Sequence, residues 1–109
     1  MLRLPAERGS RGHEQQGRRF AVVVQADELA ALSTVIVAPT SRHVRSSSFR
    51  PAIEVEGEVT KVMVEQIRAV DAGRLGEVVG HLSAEELWGV DASLVTVLAL
   101  SLPRSGSFP

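Results

Sequence analysis

The stretch HLSAEELWGVDASLVTVLAL (His81–Leu100) carries the clearest structural pattern in the chain. Ser83 and Glu86 have the spacing of a capping box, in which each side chain accepts a hydrogen bond from a backbone N–H at the start of a helix. After them, leucine and valine recur at helical spacing, at positions 87, 90, 94, 97 and 98. Such a stripe is typical of a surface helix packed on a core. The pattern predicts an amphipathic helix over residues 84–100.

Before this helix, the apolar residues follow the spacing of β-strands. Pro39 is expected to end one of these strands, and Gly73 and Gly76 are expected to interrupt the chain before the last one. Short strands followed by one amphipathic helix predict a mainly β fold with a C-terminal helix, in which the helix covers a small bent sheet or partly open barrel. The predicted strands are Phe20–Gln25, Thr34–Ala38, Ala52–Glu56, Val59–Val64, Gln66–Asp71 and Glu77–Gly80.

The two ends of the chain lack these patterns. Residues 1–12 (MLRLPAERGSRG) contain no run of β-branched or aromatic residues that would indicate a strand, so an irregular N-terminal segment is expected there. Residues 103–109 (PRSGSFP) are expected to form a flexible tail. The length of 109 residues fits one domain, and the sequence predicts it over residues 1–102.

Composition narrows the classes of function. The chain has no cysteine, which excludes thiolate zinc sites, iron–sulfur clusters and disulfide scaffolds. No apolar run is long enough to span a bilayer, and residues 1–16 lack the apolar centre of a signal peptide, so a cytoplasmic protein is expected. Residues 1–50 hold eight arginines and four acidic residues, whereas residues 51–109 hold four basic and nine acidic residues. The first half therefore fits a phosphate-binding face, although a GC-rich gene would give the same arginine bias.

Three stretches, taken in order, match the motifs of one known family. EQQGRRF (Glu14–Phe20) resembles a Glu-Gln-x-Gly-x-Arg-Pro loop, and TVIVAPTS (Thr34–Ser41) resembles a strand ending in Val-Pro-x-Thr-Ser. VEQIRAVDAGRLGEVVGHLSAEEL (Val64–Leu87) resembles a Gln-Ile-Arg-Thr-Val-Asp segment followed by Arg-Leu and Leu-Ser-x-x-Glu. Together they resemble the MazF/PemK family of toxin endoribonucleases from bacterial type II toxin–antitoxin systems. The resemblance implies an SH3-like barrel of the MazF/PemK/CcdB type, and the irregular start of the chain predicts that this barrel lacks its first strand.

The resemblance also implies a function. Members of the family are sequence-specific endoribonucleases that cleave single-stranded mRNA by attack of the ribose 2′-hydroxyl on the adjacent phosphate, without a metal or another cofactor. A homodimer and a cognate antitoxin protein are the implied partners. Two alternatives remain open at this point. One is an inactive, truncated toxin remnant, and the other is a non-catalytic toxin that binds a protein target such as DNA gyrase through its C-terminal helix.

The family motifs further imply the residues of the site. Arg19 is expected to hold the phosphate oxygens as negative charge builds, and Thr40 to donate a hydroxyl hydrogen bond. Glu14 is expected to act as the base, or to hold Arg19 or its own loop in place by an ion pair. RNA contacts are expected from Arg18, Ser41, Arg42 and Gln66.

The remaining polar and aromatic residues carry weaker patterns. The stretch TSRHVRSSSFR (Thr40–Arg50) is expected to be exposed and mobile, either as a flap that follows RNA or as an ordinary surface loop. His13 and His43 could form an acid–base pair, but histidines on polar loops are more often simply solvated. Trp88 lies one position off the helical stripe, so it is expected to pack at the rim of the helix or to contact a partner.

Overall fold

The computed structural model of the chain describes residues 3–7 and 19–100, with the backbone alone described for residues 3–7. The elements confirm the expected mainly β fold with a C-terminal helix. The strands are β1 Arg3–Glu7, β2 Arg19–Val23, β3 Thr34–Ser41, β4 Ala52–Val55, β5 Glu58–Val62, β6 Arg68–Asp71 and β7 Leu75–His81. The helix α1 is Ala84–Val97, and short 3-10 helices cover Asp27–Leu29, Val64–Gln66 and Ala72–Arg74.

The strands form one curled antiparallel sheet, a half-barrel. Their order is β4-β5-β3-β2-β1-β7, and β6 pairs with β3 off this path. β3 changes partner along one edge, because Thr34–Val37 pairs with β6 and Thr40–Ser41 pairs with β5. A strand that belongs to two ladders on the same edge forces the sheet to curl. β3 is therefore the central strand of the molecule.

A first strand is present, contrary to the prediction. β1 pairs with β2 through Ala6 opposite Phe20 and Glu7 opposite Arg19. It also pairs with β7, with register shifts on either side of Pro5. Its sequence, RLPAE, contains a proline and no β-branched or aromatic residue, and its partners are other strands of the sheet. The prediction of a barrel without its first strand is therefore wrong, as is that of a wholly irregular segment over residues 1–12.

The core lies between the concave side of the sheet and α1. The core cluster is small and rich in valine, and Phe20, Val24, Leu87 and Leu94 pack against it. Strands and helix both contribute to it, which is how one helix can seal a half-barrel. Its buried members are Val22, Ala38, Ile53, Val55, Val62, Val64, Leu82 and Val90.

The helix α1 confirms the capping box and ends earlier than predicted. The Ser83 hydroxyl accepts from the Glu86 N–H at 3.1 Å, and the Glu86 carboxylate accepts from the Ser83 N–H at 2.9 Å. At the other end, Ala99 has a left-handed backbone with φ of +54°, and the Leu100 N–H donates to the Val95 carbonyl. This left-handed residue stops the helix at Val97. No helix among the described residues is long and apolar enough to cross a membrane.

Pro39 does not end β3, contrary to the prediction. It lies opposite Ala21 in the ladder between β2 and β3. The Val24 N–H donates to the Ile36 carbonyl, and hydrogen-bonded pairs alternate with non-hydrogen-bonded pairs along such a ladder. The Ala21–Pro39 pair is therefore non-hydrogen-bonded, and the Pro39 nitrogen points to the edge away from β2. On that edge, Pro39 falls between the β6 ladder and the β5 ladder, and its carbonyl accepts from the Met63 N–H at 2.8 Å. The missing N–H of proline therefore costs the sheet no ladder bond. β7 similarly continues through Gly76, where an interruption was expected.

Candidate functional site

The alternation of side chains along β3 divides the predicted site between two faces of the sheet. Residues directly opposite each other in an antiparallel ladder share a face. Val22 and Ala38 form such a pair on the core face. The pairs on the opposite side, which we call the outer face, are Ala21 with Pro39, Ser41 with Lys61, and Val37 with Arg68.

Arg19 lies on the outer face, at the first position of β2. It is exposed, and it stands two residues before Ala21, so alternation gives it the same side. Continuing the β2–β3 register by two residues places it opposite Ser41. Within residues 19–100, no carboxylate or carbonyl is bonded to its guanidinium. The side chain is therefore available for an anionic ligand next to Ser41.

Thr40 has the opposite orientation. It pairs with Val62, a fully buried residue of the core cluster, and so alternates toward the core face. Its hydroxyl donates to the Phe20 carbonyl at 2.8 Å, a bond that ties the end of β3 to the start of β2. A hydroxyl has one proton to donate, and in this arrangement that proton is already used.

Ser41 is half-buried and faces the outer side with Lys61. Its Oγ accepts a hydrogen bond from the backbone N–H of His43 at 3.1 Å. Because the hydroxyl acts here as an acceptor, its own proton remains free to be donated. Ser41 therefore offers what Thr40 does not, an oriented O–H donor on the same face as Arg19.

The other predicted RNA-contacting residues are placed differently from Arg19 and Ser41. Arg42 forms an exposed ion pair with Glu58, and its charge is therefore already partnered. Gln66 is exposed at the end of the 3-10 helix between β5 and β6, beside the point where β3 changes partner. Glu14 and Arg18 lie outside the described residues. The structure thus places Arg19 and Ser41 on one face, turns Thr40 to the other, and pairs Arg42, the chain neighbour of Ser41, with Glu58.

Comparison with known proteins identifies the chain. Residues 2–98 match the family model described as the PemK-like, MazF-like toxin of type II toxin–antitoxin systems. The chain belongs to this toxin family. A relative in Mycobacterium tuberculosis (strain ATCC 25618 / H37Rv), named "Putative toxin Rv3098A/RVBD_3098A", is 37% identical over 91 residues, which are 83% of this chain and 85% of the relative.

Solved structures of MazF toxins share the fold of this toxin. The Mycobacterium tuberculosis toxin MazF-mt6 matches with a TM-score of 0.73 at 16% identity, covering 90% of this chain and 99% of that one. A MazE-MazF structure (Form-II) from Deinococcus radiodurans matches with a TM-score of 0.73 at 23% identity, covering 91% and 94%. An endoribonuclease in complex with its cognate antitoxin, from a mycobacterial species, matches with a TM-score of 0.74 at 14% identity, covering 93% and 95%. The curled sheet with its C-terminal helix is therefore the MazF fold.

Two basic residues of the toxin's outer face were missed by the sequence analysis. Lys61 lies opposite Ser41, and Arg68 lies opposite Val37, two positions before Pro39. The sequence did contain a signal for Lys61, because this charged residue stands just before the apolar Val62 in a predicted strand. In the structure, its neighbours Thr60 and Val62 are both buried. Alternation alone would have turned it to the opposite side of β5. The side on which Arg68 lies could only be known once β6 was paired with β3.

The loop between β3 and β4 (residues 42–51, the β3–β4 loop) is held at both ends by ion pairs. Besides the Arg42–Glu58 pair at its start, Arg50 at its end donates from Nε at 3.0 Å and from Nη2 at 2.7 Å to Oε2 of Glu65. The two side chains are only about a quarter exposed, at 23% and 25%. The hydrogen bonds from Arg50 hold the pKa of the Glu65 carboxyl below that of an ordinary glutamate, despite the opposing effect of partial burial. The pair is thus fully charged at neutral pH, and the loop is tied to the sheet rather than detached from it.

Among the described residues, no group of three or more histidine, cysteine or acidic side chains is arranged to hold a metal ion. Among residues 19–100, the charged side chains that lie next to Ser41 on the outer face are instead cations, Arg19 and Lys61. Cations beside a free hydroxyl are suited to bind and polarise a phosphate group.

Proposed function

We propose that this toxin is an endoribonuclease that cleaves single-stranded mRNA at specific sequences. The observation that carries the proposal is the free O–H of Ser41 on the same face of the sheet as the exposed Arg19 and the half-buried Lys61. Two structural neighbours bear the name of an endoribonuclease, and the family resemblance implies the same activity. The reaction is attack of a ribose 2′-hydroxyl on the adjacent phosphate, which leaves a cyclic phosphate and a 5′-hydroxyl without a metal ion.

Arg19 and Ser41 stabilise the charge that builds on the phosphate. The guanidinium of Arg19 offers parallel N–H donors that match two phosphate oxygens. The Ser41 hydroxyl donates one further hydrogen bond, with its oxygen held by the His43 N–H. In other enzymes, removing a pre-positioned donor lowers the rate by about 10²–10³-fold, and we expect an effect of that size for the charged Arg19 and a smaller one for the uncharged Ser41.

This proposal transfers the hydroxyl role from Thr40 to Ser41. Thr40 instead aligns the end of β3 with β2 through its bond to the Phe20 carbonyl. The two residues are neighbours in the sequence, but the pleat of the strand turns them to opposite faces. Thr40 is therefore proposed as a positioning residue.

Glu14 remains the proposed base, and Arg18 and Gln66 remain proposed RNA contacts. The guanidinium of Arg19 carries N–H donors and no acceptor, so it is poorly suited to remove the proton from the 2′-hydroxyl. A carboxylate is the better base on intrinsic grounds. Replacing Glu14 by glutamine tests this role, because it removes the basic oxygen and keeps the size of the side chain.

The partners proposed for this toxin are a cognate antitoxin protein and a second copy of the chain, in the cytoplasm. Two structural neighbours are complexes of a toxin or endoribonuclease with its antitoxin partner. A basic RNA-binding face also suits an acidic antitoxin segment, which can block the site by occupying it. The alternative of an inactive truncated remnant loses its main ground, since the first strand on which it depended is present.

One observation favours a second function, a toxin that binds a protein target through its helix. Trp88 is 73% exposed on α1, contrary to the expectation that it packs at the rim of the helix. Exposed tryptophan is typical of the energetic centre of protein interfaces. Under this alternative, Trp88→Ala abolishes toxicity and Arg19→Ala does not; under the nuclease proposal, the outcomes are reversed.

The deciding experiment is RNA cleavage by the purified chain in EDTA. We expect Arg19→Ala to lower kcat/KM about 10²–10³-fold with an unchanged circular dichroism spectrum. Arg74→Ala is the matched control, because Arg74 lies far from the proposed site. It stands three residues after Asp71, and Asp71 pairs with Thr34 at the opposite end of β3 from Ser41. That separation is seven residues, roughly 23 Å along an extended strand. Equal cleavage by all three proteins would remove Arg19 from the site, and no cleavage by the folded wild type would overturn the nuclease itself.

A further inference from the structure

The β3–β4 loop contains three arginines, and their bonding differs. Arg42 is paired with Glu58, and Arg50 is paired with Glu65. Arg45 is exposed, and within residues 19–100 its guanidinium has no hydrogen-bond or ion-pair partner. Only its backbone is bonded, through its carbonyl. The loop therefore presents one cation whose charge is not already matched by a carboxylate.

The position of Arg45 is set by Arg50. The Nη1 of Arg50 donates to the Arg45 carbonyl at 3.2 Å, while Nε and Nη2 of the same guanidinium bond Glu65. The guanidinium also lies over the Phe49 ring, 5.5 Å from its centroid. All three nitrogens of the Arg50 guanidinium thus donate to the protein itself, and Arg50 links Glu65 to the backbone of Arg45.

The loop carrying Arg45 begins at the proposed site. The residue before it is Ser41, and the N–H of His43 holds the Ser41 Oγ. Arg45 is four positions after Ser41 in the chain, which limits the separation of their Cα atoms to about 14 Å. Consecutive phosphates of an extended RNA strand are spaced by about half that distance, so a strand with one phosphate at Ser41 has another within reach of Arg45.

We propose that Arg45 binds the RNA backbone next to the cleaved phosphate, and that Glu65 acts through Arg50 as the positioning residue for it. The inference rests on the proposed nuclease function. Arg45 contributes one solvated ionic contact to affinity, and it takes no part in the chemistry. Glu65 contributes nothing to affinity except through the placement of Arg45.

The test is binding of a fluorescein-labelled, mixed-sequence 2′-O-methyl RNA 20-mer, measured by fluorescence anisotropy from 50 to 300 mM KCl. This RNA lacks the attacking hydroxyl and stays intact. We expect Arg45→Ala to raise Kd about fivefold, the upper end for an exposed ion pair. The slope of log affinity against log salt should fall by about 0.7, the value for one phosphate contact on a single strand. Cleavage of the unmodified RNA at saturation should keep its kcat within about twofold, since the contact is remote from the reacting atoms.

The role of Glu65 is tested by a double-mutant cycle. We expect Glu65→Gln to raise Kd by the same factor as Arg45→Ala, and the double variant to show no further increase. Glu85→Gln on α1 is the matched control, because it removes an exposed carboxylate that is bonded to none of the loop arginines and should leave Kd unchanged. Arg45 is exposed, so Arg45→Ala remains informative even if Glu65→Gln impairs folding.

The possible outcomes separate the two proposals. An unchanged Kd and salt slope in Arg45→Ala, with wild-type cleavage intact, would overturn this inference alone. Additive losses from Arg45→Ala and Glu65→Gln would show that Glu65 does not act through Arg45. A wild-type chain that neither cleaves RNA nor binds the 2′-O-methyl strand would overturn the nuclease function and this inference with it.

Discussion

The core face and the outer face of β3 are built from alternate residues of one strand, yet they have opposite chemistry. On the core face, Ala38 and Thr40 stand beside buried valines, and the one hydroxyl is bonded to backbone. On the outer face, Ser41 stands beside Lys61, and its hydroxyl retains a free proton. Val37 and Ala21 are also buried on the outer face, so stability is expected to depend on both faces, and RNA cleavage on the end of the outer face at Ser41.

This division shows why a polar motif must be assigned through its register. Thr40 and Ser41 are adjacent in the Pro-Thr-Ser stretch, and both residue types can donate a hydroxyl. Only the pairing with β5 decides which of them faces Arg19. Mutations that test the two faces separately can break this comparison or sharpen it.

The largest effect is expected in the core. Val62→Ala removes two methyl groups from a fully buried side chain, at about 0.8 kcal/mol each, and leaves a cavity. We expect a loss of about 2.5 kcal/mol in the free energy of unfolding, measured by urea denaturation. The folded fraction should cleave RNA normally. Val59→Ala, on the exposed side of the same strand, should change stability by less than about 0.5 kcal/mol; equal losses in both variants would contradict the assignment of faces.

The second effect is on catalysis. Ser41→Ala removes the free O–H donor from the outer face, and a hydrogen bond to a charged group contributes about 2 kcal/mol. We expect kcat/KM for RNA to fall roughly 30-fold, with an unchanged free energy of unfolding. Ser33→Ala, just before the other end of β3, is the control and should retain full activity. Full activity in Ser41→Ala would return the hydroxyl role to Thr40.

The parts of the fold that were predictable from sequence are those fixed by nearby residues. The capping box of α1 joins Ser83 and Glu86, three positions apart, so the start of the helix could be located directly. The hairpin turn at Gly57 is equally local. β1 was missed because Arg3–Glu7 contains a proline and none of the β-branched or aromatic residues that are typical of a strand, and its partner β7 is remote in the sequence.

The same distinction applies to the site. The placement of Arg19 before a buried strand is a local pattern, and the structure does put it at the first position of β2. The partners of Arg42 and Arg50 are Glu58 and Glu65, separated from them by 16 and 15 residues. Nothing in the loop sequence indicates which of its arginines are already paired. The choice between Thr40 and Ser41 depended likewise on a ladder that the sequence alone could not align.

The third effect is on stability at the boundary between the faces. Thr40→Val keeps the shape of the side chain and deletes its bond to the Phe20 carbonyl. Because a half-buried carbonyl loses its donor, we expect a loss of about 1 kcal/mol in the free energy of unfolding. Cleavage should fall less than about threefold, in contrast to the roughly 30-fold loss for Ser41→Ala. A larger loss of activity in Thr40→Val, at unchanged stability, would reverse the roles of the two hydroxyls.

The smallest effect is a gain in stability on the side of the helix. Ala99 occupies the left-handed position that closes α1, with φ of +54°, and this costs a residue with a Cβ about 1–2 kcal/mol. Ala99→Gly relieves that strain, but the more flexible unfolded chain offsets about 0.5–1 kcal/mol of it. We therefore expect the free energy of unfolding, measured by urea denaturation, to rise by about 0.5 kcal/mol, with unchanged cleavage.

Ala92→Gly provides the opposite control, since the same substitution within the helix should lower the free energy of unfolding by about 1 kcal/mol. If both substitutions destabilised the protein equally, the closing turn at Ala99 would not exist in solution. A gain confined to Ala99→Gly would instead show that the helical cover of the core can be strengthened without altering the outer face.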